Sequence, residues 1–144
     1  KQYIDTYFER YPGIKNYMER VVRDAKDKGY VETLFHRRRE LPDINARNFN
    51  VRQFAERTAI NSPIQGSAAD ILKIAMINLD KALVEGQFKT KMLLQVHDEI
   101  ILQVPKDELE TVKKLVKETM ESAIDLSVPL IADENAGQTW YEAK

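Results

Sequence analysis

Two apolar, β-prone runs, Met92-Leu93-Leu94-Gln95-Val96 and Ile100-Ile101-Leu102-Gln103-Val104, are separated only by His97-Asp98-Glu99. So short a link between two such runs predicts a tight antiparallel β-hairpin over about residues 91-104. Leu109, Val112, Leu115, Val116 and Met120 then recur at helical spacing after Pro105, which predicts a helix backing that hairpin. Helical sequence precedes both. The fold class expected is therefore α+β, a helical segment followed by the hairpin and its helices, with one sheet face left free for a ligand.

The tip of the hairpin is chemically unusual. Tight turns favour glycine-bearing pairs that supply a positive φ, and His97-Asp98-Glu99 has none. Two adjacent carboxylates repel unless a cation relieves them. Magnesium suits the role, since it prefers carboxylate oxygens and few protein ligands when substrate phosphates complete its shell. A solvated acidic turn is the competing explanation for an isolated Asp-Glu pair. Neighbouring strand residues point to opposite faces, so Asp98 and Glu99 are not expected to grip one ion symmetrically. A two-metal phosphoryl-transfer site needs a further carboxylate. Asp70 and Asp133 are available in the sequence, but neither has a setting that marks it as a ligand, and the second aspartate is expected upstream of Lys1.

Upstream of the hairpin, Tyr3, Ile4, Tyr7 and Phe8 fall on one helical face before Pro12-Gly13, and Ile14, Tyr17, Met18, Val21, Val22 and Ala25 form a second amphipathic helix that stops near Gly29. These two helices are expected to form a bent pair. Residues 31-35 and the segment around Leu41 predict a small hairpin or extended loop, with Arg37-Arg38-Arg39 between its arms. Helical pattern resumes from about Asn48 to Ile60, is broken at Asn61-Ser62-Pro63, and restarts from Gly66 to Glu85, with Gln65 or Ser67 as the cap. A last short strand is expected at residues 128-132, then a turn at Gly137. The sequence contains no internal repeat, low-complexity tract or flexible linker.

A hydrophobic content of 43% over 144 residues suffices for a core, and the absence of cysteine excludes disulfides and thiolate metal sites. No apolar run approaches the roughly 20 residues of a membrane span, and the N-terminus lacks the order of a secretory signal. The chain opens Lys-Gln-Tyr-Ile without Met, which suggests a piece of something larger. Net charge is −1, yet residues 1-60 carry net +4 and residues 61-144 net −5, and every arginine lies at or before Arg57. An acceptor-rich partner for the first half and chance clustering on a solvated surface both account for this.

Arg57, Asn61 and Gln65 are spaced by four, so a continuous helix would place all three on one face, whereas a break at Pro63 would interrupt the last step. Such donors match the purine N3 and pyrimidine O2 acceptors that every correctly paired base shows in the minor groove. A polar helix face with ordinary capping is the alternative. Arg37-Arg38-Arg39 is either a template-phosphate contact or a solvated loop. Tyr3, Tyr7, Tyr11, Phe49 and Phe54 are expected in the core or between helices rather than as base-stacking platforms.

The strings Tyr7-Phe8-Glu9-Arg10-Tyr11-Pro12-Gly13, Arg37-Arg38 followed by Leu41-Pro42-Asp43-Ile44, Ala55-Glu56-Arg57, Ile60-Asn61-Ser62-Pro63-Ile64-Gln65-Gly66-Ser67-Ala68-Ala69-Asp70-Ile71 and Gln95-Val96-His97-Asp98-Glu99 closely resemble family A DNA polymerases of the bacterial DNA polymerase I type, from Lys1 to Trp140 and in the family's order. The resemblance implies that residues 1-45 are the later part of the fingers subdomain and residues 46-144 the C-terminal part of the palm. It implies template-directed addition of dNMP from dNTP to a primer 3′-hydroxyl, with Mg2+ as cofactor and primer-template DNA, dNTP and the upstream remainder of the polymerase as partners. The setting implied is the bacterial cytoplasm, at the nucleoid and not in a membrane.

By position, Asp98 matches a metal-binding aspartate, Glu99 its acidic neighbour, and His97 a residue near the primer 3′ end. Arg57, Asn61 and Gln65 match positions along the duplex or incoming pair. The family's other catalytic aspartate and its nucleotide-binding helix lie upstream, so these 144 residues alone are expected to be inactive. Alternatives are a non-catalytic duplex-binding module and a magnesium nuclease. The segment Ala132-Asp133-Glu134-Asn135-Ala136-Gly137 fits the family loosely and carries no role.

Overall fold

The computed structural model describes residues 2-143. The elements are α1 (Gln2–Arg10), α2 (Pro12–Lys28), β1 (Tyr30–Glu32), β2 (Arg38–Glu40), α3 (Phe49–Glu85), β3 (Lys91–Val96), β4 (Glu99–Gln103) and α4 (Leu109–Glu121). Among the described residues, four helices and two antiparallel hairpins confirm the α+β class. The chain divides into two compact units at Ala68/Ala69, within α3.

In the first unit, α1 and α2 meet at Tyr11, whose ring lies 5.3 Å from that of Tyr7. Pro12 opens α2 at a position where its missing N–H costs nothing. Gly29 closes it in the left-handed region, φ 84°, and donates to the Ala25 carbonyl at 2.8 Å. The reversal leads into β1, which pairs with β2 in the register Tyr30↔Glu40, Val31↔Arg39 and Glu32↔Arg38. Arg38 and Arg39 therefore lie in a strand rather than in the loop between strands. Asn48 caps α3 by accepting from the N–H groups of Asn50 and Val51 at 2.9 and 3.3 Å. The core is Ala25, Val31, Leu41, Ile44, Ala55 and Ala59, with Val21 packed against it. Lys26 and Glu56 pair beside it at 2.6 Å.

The break expected at Asn61-Ser62-Pro63 is absent, and α3 runs through Pro63 as one helix. A proline inside a helix removes one hydrogen bond and costs about 3 kcal/mol. Tertiary contact offsets that here. Ala55 and Ala59 are buried just before the proline, and Tyr17 donates its hydroxyl to the Ile60 carbonyl at 3.1 Å. Neither Gln65 nor Ser67 caps a helix. Gln65 lies exposed in mid-helix, and the Ser67 hydroxyl accepts from the Leu34 N–H at 2.9 Å.

Phe49 and Phe54 were expected in a core or between helices, but they are 61% and 65% exposed, because the face of α3 that meets α2 is the one bearing Ala55 and Ala59. Tyr3 is 93% exposed on α1, among whose described residues none is buried.

In the second unit, Leu79 and Leu83 of α3 and Val112 of α4 form a buried cluster against which Phe88, Leu102, Val104, Leu115 and Val116 pack. The β3–β4 register is Lys91↔Gln103, Met92↔Leu102, Leu94↔Ile101, Gln95↔Ile100 and Val96↔Glu99, so Leu93 is an extra residue, a β-bulge. The strand expected at residues 128-132 does not form. Pro129 cannot donate to a ladder, and the segment is held instead by side chains: the Ala132 N–H donates to Glu121 at 3.0 Å, and Lys117 pairs with Glu134 at 3.6 Å.

Candidate functional site

The hairpin tip is tighter than the sequence suggested. Val96 pairs with Glu99, so only His97 and Asp98 lie in the turn and Glu99 is the first residue of β4. A two-residue hairpin turn needs positive φ, and with no glycine present His97 adopts it, φ 56°. For a residue with a Cβ that conformation costs about 1 kcal/mol or more. The Gln95 side-chain amide donates to the His97 carbonyl and steadies the turn.

His97, Asp98 and Glu99 are all exposed, so the imidazole and two carboxylates are presented to solvent at one end of the sheet. Exposed carboxylate oxygens are hard donors suited to a divalent cation that keeps water or substrate oxygens in its shell. Asp98 and Glu99 thus fit a magnesium-type ion as a partial donor set. Among the described residues, no three His, Cys, Asp or Glu side chains gather into a cage. Asp70 is 9% exposed within α3, and Asp133 is exposed in irregular chain beyond α4.

The donor row gains from the continuity of α3. Arg57, Asn61 and Gln65 are exposed and lie four residues apart on one unbroken helix, so they share a face and span about 12 Å. Arg57 donates to the Gln53 side chain at 3.3 Å, which orients the guanidinium along the same face. Two of the three arginines in the Arg37-Arg38-Arg39 run make side-chain contacts within the chain. Arg37 donates to the Gly66 carbonyl at 3.1 Å. Arg38 donates to Glu32 at 2.9 Å and lies 4.4 Å from the centre of the Tyr30 ring, and the Glu32 hydrogen bond raises its pKa further.

Sequence reasoning missed two anchors. Tyr17 was visible only as one member of an apolar helix face, although a tyrosine there differs from its neighbours in carrying a hydroxyl to satisfy. Glu108 had no signal beyond its place before α4. Its carboxylate accepts from the N–H groups of Lys89 and Thr90 and from the Thr90 hydroxyl, tying the approach to β3 onto α4.

A family model described as DNA polymerase family A matches residues 1–142. DNA polymerase I of Streptococcus pneumoniae serotype 4 (strain ATCC BAA-334 / TIGR4) is 82% identical over all of this chain and 16% of its own length. DNA polymerase I of Geobacillus stearothermophilus is 59% identical over 99% of this chain and 16% of its own length. Among solved structures, one described as the POL domain of Pol1 from M. smegmatis in complex with DNA primer-template and dNTP superposes with a TM-score of 0.95 at 44% identity, covering 97% of this chain and 25% of that one. The chain thus spans 16% of the length of these curated relatives. On the family match and these identities, the chain belongs to DNA polymerase family A.

Proposed function

We propose that this chain serves, within a larger polymerase, in template-directed DNA synthesis, the addition of a deoxynucleoside monophosphate from its triphosphate to a primer 3′-hydroxyl. The observation that carries the reading is the glycine-free hairpin tip, where His97 holds a strained turn that presents Asp98 and Glu99 to solvent in a chain of this family. In this reading residues 1-45 belong to the fingers and residues 46-144 to the palm. The solved complex with primer-template and dNTP supports the choice of partners, and a cytoplasmic, nucleoid-associated setting is part of the same proposal. No helix among the described residues is long and apolar enough to cross a membrane.

Asp98 and Glu99 would hold Mg2+ together with an aspartate from outside these 144 residues. Bound magnesium supplies activation of the 3′-hydroxyl and neutralisation of charge on the leaving pyrophosphate. Asp98 contributes its carboxylate oxygen to that site, Glu99 adds negative charge beside it, and the His97 imidazole steadies the primer end. Arg57, Asn61 and Gln65 donate to minor-groove acceptors. A row of about 12 Å spans three to four base-pair steps at roughly 3.4 Å each, so a mismatch within that reach removes an acceptor from its expected place.

The test is primer extension by the full-length polymerase. Asp98→Ala should reduce single-nucleotide extension on the order of a thousandfold while leaving duplex affinity nearly unchanged. Extension at close to the wild-type rate would refute the role of the tip. The 144 residues alone should extend no primer.

A further inference from the structure

The stretch of α3 that carries Asn61 and Gln65 is the least helix-prone part of it, because Pro63 and Gly66 both fall there. Proline and glycine are the two residues least favourable in a helix interior, so this stretch depends on support from outside the helix. The support is specific. At one end, the Tyr17 hydroxyl of α2 donates to the Ile60 carbonyl at 3.1 Å. At the other, Arg37 donates to the Gly66 carbonyl at 3.1 Å and the Leu34 N–H donates to the Ser67 hydroxyl at 2.9 Å. These bonds bracket Asn61 and Gln65, whose side chains stay exposed.

We infer that Tyr17 and Arg37 are positioning residues that fix the helical register of Asn61 and Gln65, and so set how strictly the polymerase discriminates a matched from a mismatched primer end. The inference rests on the donor-row reading proposed above. Neither residue touches DNA in this scheme. Each acts on a backbone carbonyl, and the backbone sets where the Asn61 amide and Gln65 amide point. Burial pushes the Tyr17 phenol above its ordinary pKa of 10.0, against a smaller opposing effect of Arg20, so the hydroxyl remains a donor at neutral pH. Gly66 lets the clamp close, because a Cβ there would lie 2.7 Å from the Thr33 methyl and 3.3 Å from the Arg37 guanidinium.

The experiment measures kcat/KM for single-nucleotide extension of matched and mismatched termini by the full-length polymerase, with melting temperature as a control for folding. Tyr17→Phe keeps the ring and removes the bond, and should lower the matched-to-mismatched ratio about three- to tenfold, the range one hydrogen bond supplies. Arg37→Met should act in the same direction, and Arg37→Lys, which keeps a donor, should recover part of the loss. In a protein already carrying Asn61→Ala and Gln65→Ala, adding Tyr17→Phe should lower the ratio no further.

An unchanged ratio in both Tyr17→Phe and Arg37→Met, with a lowered ratio in the Asn61→Ala, Gln65→Ala protein, would overturn the inference and leave the donor row standing. Fully additive losses would also overturn it, since Tyr17 would then act elsewhere. An unchanged ratio in the Asn61→Ala, Gln65→Ala protein would sink both.

Discussion

Glu108 grips Thr90 twice, accepting from its N–H at 3.0 Å and from its hydroxyl at 2.7 Å. A third bond comes from the Lys89 N–H at 2.8 Å. One carboxylate just before α4 therefore fixes the start of β3, the strand that leads to the acidic tip.

These bonds favour the ionised carboxylate, with that from Lys89 the largest cause, and hold the Glu108 pKa below its ordinary value of 4.5. A depressed carboxylate contributes stability that is fully present above that ordinary value and is lost as pH falls through the lowered one. Glu108→Gln should therefore speed amide exchange at Lys89 and Thr90 near neutral pH. The difference from wild type should shrink as the medium is acidified below pH 4.5. Hydrogen exchange read by mass spectrometry over residues 87-92 checks both.

At the tip, His97 sits at φ 56°, a conformation glycine adopts without strain. His97→Gly should stabilise the turn by up to about 1 kcal/mol, while primer extension falls because the imidazole is gone. His97→Val should lose both stability and activity, since a β-branched residue fits that region worst. Thermal melts of the full-length polymerase beside extension assays separate these outcomes. Equal activity in His97→Gly and wild type would remove the imidazole from the proposed mechanism.

Gly66→Ala tests the close approach of Thr33 to α3. Helix propensity alone favours alanine by about 1 kcal/mol. The 2.7 Å contact with the stiff Thr33 methyl reverses the sign, and a net loss of about 1 to 2 kcal/mol is expected. Thr33→Ser removes that methyl and keeps the hydroxyl that accepts from Phe35 and Arg37. In that background Gly66→Ala should be neutral or stabilising, a coupling that denaturant melts of the four proteins would reveal.

Where local signals governed, the sequence was a sound guide. The Gly29 stop and the hairpin over residues 91-104 formed as expected. Where long-range contacts decided, it misled. Pro63 reads as a helix break until the Tyr17 hydroxyl and the buried alanines of α3 are in place. Residues 128-132 have strand-prone side chains, but a strand exists only through a partner, and the hydrogen bond that formed there runs from the Ala132 N–H to Glu121. The tip was legible as chemistry because its lack of glycine is a local anomaly. That Glu99 joins the ladder while Asp98 stays in the turn depends on register, which the bulge at Leu93 alters from a distance.

That bulge has a bearing on how the hairpin tolerates change. An extra residue in β3 with no counterpart in β4 shifts the odd-even phase of inward and outward side chains between the root, Lys91 and Met92, and the distal part, Leu94 to Val96. The root pairs with Leu102, which packs against the cluster of Leu79, Leu83 and Val112, and the distal part leads into the turn. The two ends of one ribbon are thereby free to drift independently, one under the demands of the core and the other under those of chemistry.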